Sequence, residues 1–521
     1  MLSLVLACTA PPVNNHSGTT VDSAGESAPR VTDDSGADSA VDSAGHSGGD
    51  IARDAEPLAS FDVVVVGAGG AGMAAAVTAQ ELGVAVLVVE REAEVGGASA
   101  YGGELWAPGT PLQAEMGITD SAEQALTEWS EFTGGGDAAD PAVVGYCEGA
   151  AATLAWLESY GASFNGVAPS PDAGRTPRLH IVPMGSPAPV SALAAAYSGE
   201  LWTGTAVTDL RFEAGAVVGV ELATGWVEAG AVVVASGGFA RNLEWLVEVV
   251  PGVAEADWHY ETVHGMDGVL SRSLDGRVAM QNLENMGVYV HGVHDPTLTS
   301  GEVMLAPNLT GTLIVGSSGE RAGNEHDTLS LAMRDTWVAS GPLWSVHGPA
   351  QWADEQFATM PFNDPGGGTG SLDAEAYAAL AEVYSADDPG DLAAQIGVSG
   401  EALAEAITRY DALFDTGQDD DFGKPLQEYS PLAGPPWTAV ALVPAAAKSF
   451  GGLATLPDGQ VLDPLGDPVP GLYGAGEAIG FLGTPAVGRG WSGSVSAVYY
   501  GGRVAGAAAA GRASPPPSRS R

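Results

Sequence analysis

The sequence has few cysteines, few cations and no long hydrophobic run. Its 521 residues include two cysteines, Cys8 and Cys147, which excludes a four-cysteine metal site and a multi-bridge disulfide framework. Only 19 Lys and Arg residues stand against 65 Asp and Glu, and the formal net charge of −46 argues against nucleic-acid binding. No apolar run approaches the roughly 18 residues of a membrane-spanning helix, and no H-E-x-x-H pattern occurs. Neither a spanning helix nor a metal is predicted.

Glycine is the residue that the chain has in excess. It contributes 73 of the 521 residues, about twice its usual ~7% share. Because these glycines follow no collagen-like period, we expect them in turns, in close packing or where the backbone approaches a ligand. Hydrophobic residues make up 45% of the chain, which permits a large buried core.

The first 57 residues form a segment of their own. The apolar stretch L-S-L-V-L-A ends directly before Cys8 and resembles the end of a bacterial lipoprotein signal, in which the cysteine is lipidated. Residues 14–57 are dominated by Ser, Asp, Gly, Ala and Thr, so they predict a disordered acidic tether. We therefore expect a lipoprotein of the cell envelope that is anchored to the outer membrane. It would touch the membrane only through its lipid. The alternative is a cytoplasmic protein whose N-terminus has no such role.

A glycine-rich turn follows the first strand after the tether. Residues 61–66 are rich in valine and predict a strand that is buried on both faces. The turn G-A-G-G-A-G at 67–72 then leads into a helix, and a second strand over 84–89 ends on Glu90. This β-α-β context predicts a dinucleotide-binding fold.

Three glycines of this turn have separate physical tasks. Gly67 permits the tight turn, Gly69 lets backbone N–H groups approach a pyrophosphate, and Gly72 lets the helix pack closely on the strand. Glu90 is placed to accept hydrogen bonds from ribose hydroxyls. Further glycine-rich stretches at 94–103, 231–242 and 471–477 favour a flavin, which is buried along its length, over a free nicotinamide cofactor.

Residues 60–510 resemble the flavoprotein family of soluble fumarate reductases, succinate dehydrogenase flavoprotein subunits and 3-ketosteroid dehydrogenases. The matching blocks, in order, are GAGGAG, VGGASAYGG, LAWLESYGASF, VVVASGGFARN, GERAGNE, the stretch from DPGDLAAQ to DDDFGK, and PGLYGAGEA. The resemblance implies an α/β fold: a Rossmann-like FAD-binding domain of the glutathione-reductase type with an inserted α+β cap. It divides the chain into 58–250 and 436–513 for the FAD-binding domain, 251–435 for the cap and 514–521 for a disordered tail. Within the cap, the amphipathic stretches 372–385 and 400–416 predict helices.

The resemblance also implies which residues hold FAD. Glu477 would hold the ribityl chain, and Ser494 and Val495 would open a helix that faces the flavin C2 carbonyl. FAD is expected to be non-covalent, because the loop over 95–103 lacks the histidine to which succinate dehydrogenase relatives attach it. The predicted cofactor-binding residues are Gly67, Gly69, Gly70, Ala71, Gly72, Glu90, Arg91, Gly96, Gly97, Ala98, Ser99, Gly102, Gly103, Val207, Ala235, Ser236, Gly237, Gly238, Gly476, Glu477, Ser494 and Val495.

Three residues are predicted to act on the substrate. Arg489 stands where fumarate reductases place a substrate-binding arginine, and its planar fork suits a carboxylate; a salt bridge that locks the loop is the alternative. His294 resembles the histidine of the family's His-Pro-Thr, with a structural hydrogen bond as the alternative. Arg334 follows the GERAGNE block on a predicted cap helix.

The sequence departs from the family at three positions. Leu329 stands where fumarate reductases have their proton-donating arginine, and Ala447-Lys448 stands where they have paired histidines, so fumarate is not the expected substrate. Trp491 stands where ketosteroid dehydrogenases place a tyrosine. Together with Trp106 and Tyr101 it predicts an aromatic pocket, with ordinary core packing as the alternative.

Two functions follow from these observations. The first is an FAD-dependent oxidoreductase that transfers a hydride between flavin N5 and the activated double bond of a small unsaturated acid or ketone. No C-x-x-C-H haem motif occurs, so its electron donor or acceptor must be external. The second is a surface-tethered protein that has lost catalysis and acts as a binding module. The sequence leaves the oligomeric state open.

Overall fold

The computed structural model describes residues 56–132, 139–168, 175–183, 185–250, 259–294, 303–305, 311–327, 331–353, 357–358, 371–372, 382–482 and 494–513. Four residues discussed above, Cys8, Leu329, Arg489 and Trp491, lie outside these ranges, as do the predicted tether up to residue 55 and the predicted tail. For His294, Arg334 and Ser494 the description covers the backbone element alone.

The strands and helices of the described residues are as follows. The strands are β1 (Ala59–Val66), β2 (Val86–Val89), β3 (Glu104–Trp106), β4 (Val167–Ala168), β5 (Leu179–Ile181), β6 (Glu200–Trp202), β7 (Val207–Glu213), β8 (Ala216–Leu222), β9 (Gly225–Val234), β10 (His259–Tyr260), β11 (Met280–Gln281), β12 (Met286–His294), β13 (Val303–Leu305), β14 (Leu313–Val315), β15 (Leu343–His347), β16 (Phe357–Ala358), β17 (Ser371–Leu372), β18 (Val383–Ala386), β19 (Trp437–Ser449), β20 (Gly452–Leu453), β21 (Gln460–Leu462) and β22 (Pro468–Gly474). The α-helices are α1 (Gly70–Glu81), α2 (Pro111–Glu115), α3 (Ala122–Phe132), α4 (Pro141–Ser159), α5 (Pro189–Ala196), α6 (Leu243–Val249), α7 (Val269–Ser273), α8 (Leu331–Ser340), α9 (Pro349–Ala353), α10 (Pro389–Ile396), α11 (Gly400–Thr416) and α12 (Ser494–Ala513).

The first sheet has a parallel centre. Its strand order is β21-β22-β9-β1-β2-β6, with β7 and β8 attached as an antiparallel extension of β9. Strand β1 pairs in parallel with both β2 and β9, and β22 pairs in parallel with β9. Val63 and Val65 pack into one apolar cluster and Val64 and Val66 into another. The valine run is therefore buried on both faces, as predicted from its lack of alternation.

Helix α1 lies directly on this sheet and is itself covered. All its residues from Gly70 to Ala79 are buried, and they are mostly Gly and Ala. The long helix α12 crosses it closely: a Cβ added at Gly502 would lie 2.3 Å from the carbonyl oxygen of Ala71. The small side chains thus let two helices touch at backbone distance, which fixes the position of the N-terminus of α1.

The second sheet is built around the 13-residue strand β19. Its order is β13-β12-β19-β15-β14, and β10 and β18 also pair with β19. Helices α10 and α11 cover it through a cluster that includes Leu392, Leu403 and Tyr410. Helix α11 begins at a Ser399 cap and ends before Gly417 in a left-handed conformation, which confirms the helix predicted over 400–416.

The helix predicted over 372–385 is wrong at both ends, since Leu372 ends strand β17, which pairs with β16. Residues Val383–Ala386 form strand β18, which pairs with β19, while residues 373–381 lie outside the description. In a short stretch the spacing of apolar residues does not distinguish a helix from a strand. Pairing with a long neighbouring strand therefore overrides a weak helical period here.

The two sheets confirm the predicted α/β class. No helix in the described ranges is long and apolar enough to cross a bilayer. The division of the chain at 250/251 and 435/436 stays a prediction. Strand β19 begins just after the predicted boundary at 435/436, but it pairs with β12, which belongs to the predicted cap. Its last residue, Ser449, contacts Glu477 in a glycine-rich turn of the first sheet.

Candidate cofactor and substrate site

The glycine-rich turns meet at one edge of the first sheet. Strands β1, β2, β9 and β22 all end there, and the turns that follow them are joined by backbone hydrogen bonds. Gly67 N donates to Val89 O at 2.8 Å, Ala235 N to Val66 O at 2.9 Å and Ala475 N to Val234 O at 3.0 Å. The carboxyl edge of a parallel sheet is where open α/β folds bind their ligands.

The three glycines of the first turn do different things. Gly67 has φ 101°, and a Cβ there would lie 2.5 Å from Ala235 O. At Gly72 a Cβ would lie 1.8 Å from Gly67 O, so helix α1 could not pack as it does. At Gly69 the nearest atom to an added Cβ is Gly96 O at 3.8 Å. Gly67 and Gly72 are therefore required by the fold, whereas Gly69 leaves room for a ligand.

The second glycine-rich loop folds over the first. Gly96 N donates to Ala68 O at 3.0 Å, and the hydroxyl of Ser99 accepts from Gly70 N at 3.2 Å. A Cβ at Gly97 would lie 3.8 Å from the Cα of Gly69, so the two loops lie side by side without side chains between them. Ala98 and Ser99 lie in a 3-10 turn over Gly97–Tyr101. The N-cap residue of α1, Gly69, has no side chain to accept from the first turn, which suits a phosphate at this end.

Glu90 ties the first turn to the end of β2. Its carboxylate accepts from Ala68 N at 2.6 Å and from Glu92 N at 2.8 Å. Each carboxylate oxygen can accept a second hydrogen bond, so the predicted contact with ribose hydroxyls is compatible with this arrangement. Arg91, also predicted to bind cofactor, donates to Asp267 at 2.7 Å and to Glu92 at 3.3 Å. That pairing holds its guanidinium beside the turn.

Glu477 joins the two sheets. Its carboxylate accepts from the backbone N–H of Ser449 at 2.8 Å and from the Ser449 hydroxyl at 3.3 Å. Gly238 lies against both, because a Cβ there would be 2.1 Å from Ser449 Oγ and 2.5 Å from Glu477 Oε1. Burial raises the pKa of Glu477 to about 7, with Ser449 and Lys448 acting in the opposite direction.

The remaining predicted cofactor residues lie around the same turns, with one exception. Gly237 and Gly476 have φ values of 83° and 69° in the turns after β9 and β22. A Cβ on Gly102 would lie 3.0 Å from Val495 at the start of α12, which brings that helix end to the second loop, and Gly103 follows directly. Val207 instead opens β7 and packs on the core of the opposite sheet face.

The described residues fit FAD. The hydroxyl of Ser236 is buried among these turns and has no hydrogen-bond partner within the described part of the protein. An orphaned hydroxyl on the residue that lies against Gly67, where an added Cβ would be 3.1 Å from Ser236 Cα, suits a polar ligand group. Gly-lined space, backbone N–H groups and two carboxylates are also the contacts that a dinucleotide's phosphates and hydroxyls require.

The structure answers some of the substrate-side predictions. His294 is the last residue of β12, and Arg334 lies on α8. Trp106 is a core residue, because it is 3% exposed and stacks on Tyr146 with ring centroids 5.1 Å apart. The core-packing alternative therefore holds for Trp106, and the predicted aromatic pocket is wrong at that position.

Three residues beside the turns were not predicted as site residues. They are Tyr289, Lys448 and Ser449, which two strands of the second sheet bring to Glu477. One sequence feature pointed to Lys448 and Ser449: they lie before Gly451-Gly452, where the family has histidines. The sequence alone shows that the histidines are missing, but it does not show what the replacing residues contact.

Comparisons with known proteins agree with this geometry. A family model described as FAD binding domain matches residues 62–490. The chain is 29% identical over 482 residues to a fumarate reductase (cytochrome) of Shewanella frigidimarina, covering 87% of this chain and 78% of that protein. It is 30% identical over 479 residues to a urocanate reductase of Eggerthella lenta, covering 86% and 74%. In fold it is similar to a 3-ketosteroid delta1-dehydrogenase from Sterolibacterium denitrificans, with TM-score 0.72, 20% identity and coverage of 87% and 99%.

Proposed function

Because this chain belongs to the FAD binding domain family and is an FAD-dependent oxidoreductase, we propose that its hydride acceptor or donor is an activated carbon–carbon bond of an unsaturated acid or ketone. When bound, FAD supplies hydride transfer at N5. The relatives are named for fumarate and urocanate, which are both alkenes conjugated to an electron-withdrawing group. The observation that carries the proposal is the delivery of Lys448 and Ser449, at the end of β19, to the turns that hold the cofactor.

The residues proposed to hold FAD have separate tasks. The turn 67–72 and Ser99 take the phosphates, Glu90 the ribose, and Glu477 the ribityl chain. The loop over Gly96–Gly103 lacks histidine, so we propose that the cofactor is not covalently attached. Ser494 and Val495 begin a 20-residue helix, whose N-terminal partial positive charge stabilises negative charge on a ligand at that end.

The substrate-side assignments are proposals from the family resemblance. Arg489 would clamp the carboxylate or carbonyl oxygen, with His294 and Arg334 as further candidate contacts. Leu329 has no proton to donate, so we propose that fumarate is not the substrate and that an acid elsewhere serves the reaction.

The full-length protein is expected to contain FAD and to pass electrons to an alkene. We expect acid precipitation to leave the flavin in a yellow supernatant, because no histidine tethers it. After anaerobic reduction with dithionite, its 450 nm absorbance should return when a conjugated acid or enone is added from a panel. Flavin that stays in the pellet would contradict non-covalent binding. A protein that is reduced but is reoxidised by no panel member would favour the binding-module alternative.

We propose that the chain is anchored to the outer membrane by a lipid on Cys8. The support is the V-L-A-C sequence followed by an acidic segment without a hydrophobic core. Cys8→Ser is expected to move the protein from the membrane fraction to the soluble fraction and to abolish labelling by radioactive palmitate. Cys147→Ser is the matched control, because Cys147 is buried in helix α4 and should leave both readouts unchanged. Unaltered fractionation of Cys8→Ser would favour the cytoplasmic alternative.

A further inference from the structure

A tyrosine and a lysine meet between strands β12 and β19. Gly287 pairs with Lys448 and Val288 with Ala446, so Ala447 is an extra residue in β19 and forms a bulge. Bulges are frequent next to active sites, where they re-aim a side chain. The ammonium of Lys448 lies 5.9 Å from the centre of the Tyr289 ring.

Gly287 makes room for this pair. A Cβ at Gly287 would lie 3.0 Å from Lys448 Cγ and 3.1 Å from the Tyr289 hydroxyl. The Tyr289 hydroxyl and the aliphatic stem of Lys448 therefore converge over a position that lacks a side chain. Tyr289 is 5% exposed, whereas Lys448 is half-buried.

The pair lies one residue away from a cofactor contact. Ser449, which follows Lys448, donates its backbone N–H to Glu477 at 2.8 Å. The charges of Glu261 and Glu477 act on both Tyr289 and Lys448. Lys448 is thus a cation held beside two carboxylates, a phenol and the turns that hold the flavin.

At neutral pH the phenol keeps its proton and the lysine keeps its charge. Burial raises the pKa of Tyr289, and Lys448 lowers it by a smaller amount. Burial lowers the pKa of Lys448, but Tyr289, Glu261 and Glu477 outweigh that effect and raise it above its usual value. A neutral phenol beside an ammonium is a usable acid, because the cation stabilises the phenolate left behind.

We propose that Tyr289 is the acid that protonates the substrate carbon, and that Lys448 is the positioning residue that stabilises the resulting phenolate; this rests on the proposed function. It supplies the proton donor that Leu329 cannot. Bound and reduced FAD would supply the hydride that bonds to the β-carbon; the electron pair of the double bond would then form the new C–H bond at the α-carbon as the Tyr289 O–H bond breaks. Lys448 returns a proton to the phenolate and regains one from solvent.

The test compares an alkene with an acceptor that takes electrons without a proton on carbon. Tyr289→Phe holoenzyme is expected to lose about 10²- to 10⁴-fold in kcat for the alkene that the wild type reduces, with KM nearly unchanged. Reoxidation of the reduced flavin by ferricyanide, FAD occupancy and thermal midpoint should stay at wild-type values. Lys448→Met should lose about ten- to hundredfold in kcat, since the cation that stabilises the phenolate is removed, and Lys448→Arg should recover part of it.

Each other outcome decides against the assignment. A Tyr289→Phe protein with wild-type alkene kcat would show that the acid lies elsewhere. Equal losses with the alkene and with ferricyanide, or lost FAD, in both Tyr289→Phe and Lys448→Met would show a structural role. A wild type that is reduced and reoxidised by ferricyanide but by no alkene would overturn the proposed function and this assignment with it.

Discussion

A Gly69→Val protein is expected to fold but to bind FAD about a hundredfold more weakly or not at all. Gly69 has φ −74°, which any residue adopts, and a Cβ there meets nothing closer than Gly96 O at 3.8 Å. The fold therefore tolerates the valine side chain. The side chain would, however, occupy the position through which the pyrophosphate approaches the backbone N–H groups. Losing two charge-assisted hydrogen bonds from backbone N–H groups to phosphate corresponds to about that change in affinity. Flavin absorbance per protein and titration of the FAD-stripped protein with FAD measure it.

Gly72→Ala is the matched control for the same turn. Its added Cβ would lie 1.8 Å from Gly67 O, so the start of α1 must move and the protein should lose about 1–3 kcal/mol of unfolding free energy. Thermal unfolding of both variants without FAD should therefore separate them: Gly69→Val near wild type, Gly72→Ala lowered. Wild-type FAD affinity in Gly69→Val would mean that the phosphates lie elsewhere.

Arg321→Met is expected to lower the unfolding free energy by about 3–5 kcal/mol. The guanidinium holds Glu325 at 2.8 Å and Asp419 at 2.9 Å, and its side chain is 7% exposed while both carboxylates are fully buried. Lys424 adds a second cation 3.3 Å from Glu325. Removing Arg321 leaves two buried carboxylates with one cation, and the cost of that imbalance exceeds the cost of lost contacts. Urea unfolding measures it.

Arg409→Met is the control, because Arg409 makes the same two-point contact with Asp421 at 3.0 and 2.8 Å but is 52% exposed. Because this contact is exposed to solvent, its loss should lower the unfolding free energy far less than the loss of Arg321 does. Burial raises the pKa of Asp419, but hydrogen bonds from Arg321 and from backbone N–H groups lower it to about 2. Its stabilisation is therefore present above pH about 4 and is lost as the pH falls toward 2. The unfolding free energy that is lost as the pH falls toward 2 should be smaller in Arg321→Met than in the wild type. Equal losses of unfolding free energy in Arg321→Met and Arg409→Met would contradict the buried network.

The glycine-rich turns were predictable because their chemistry is local. A valine run, a G-A-G-G-A-G turn and a glutamate one strand later specify a β-α-β unit within thirty residues, and the structure has that unit. The helix over 400–416 was predictable for the same reason, since Ser399 and Gly417 lie at its two ends. The short stretch near 383 was not, because a four-residue strand takes its conformation from its neighbour β19.

The sequence by itself determined the fold class, the cofactor and the glycine-rich turns at the edge of the first sheet, because each depends on backbone freedom at glycine and on residues adjacent in the chain. It also showed, through Leu329 and Lys448, which family residues are absent. Only the tertiary structure brought together the two residues that we propose take over their role. Tyr289 and Lys448 are 159 positions apart, and a strand pairing with a one-residue bulge brings them together beside Glu477. Such a juxtaposition depends on register between distant strands, which no local pattern encodes.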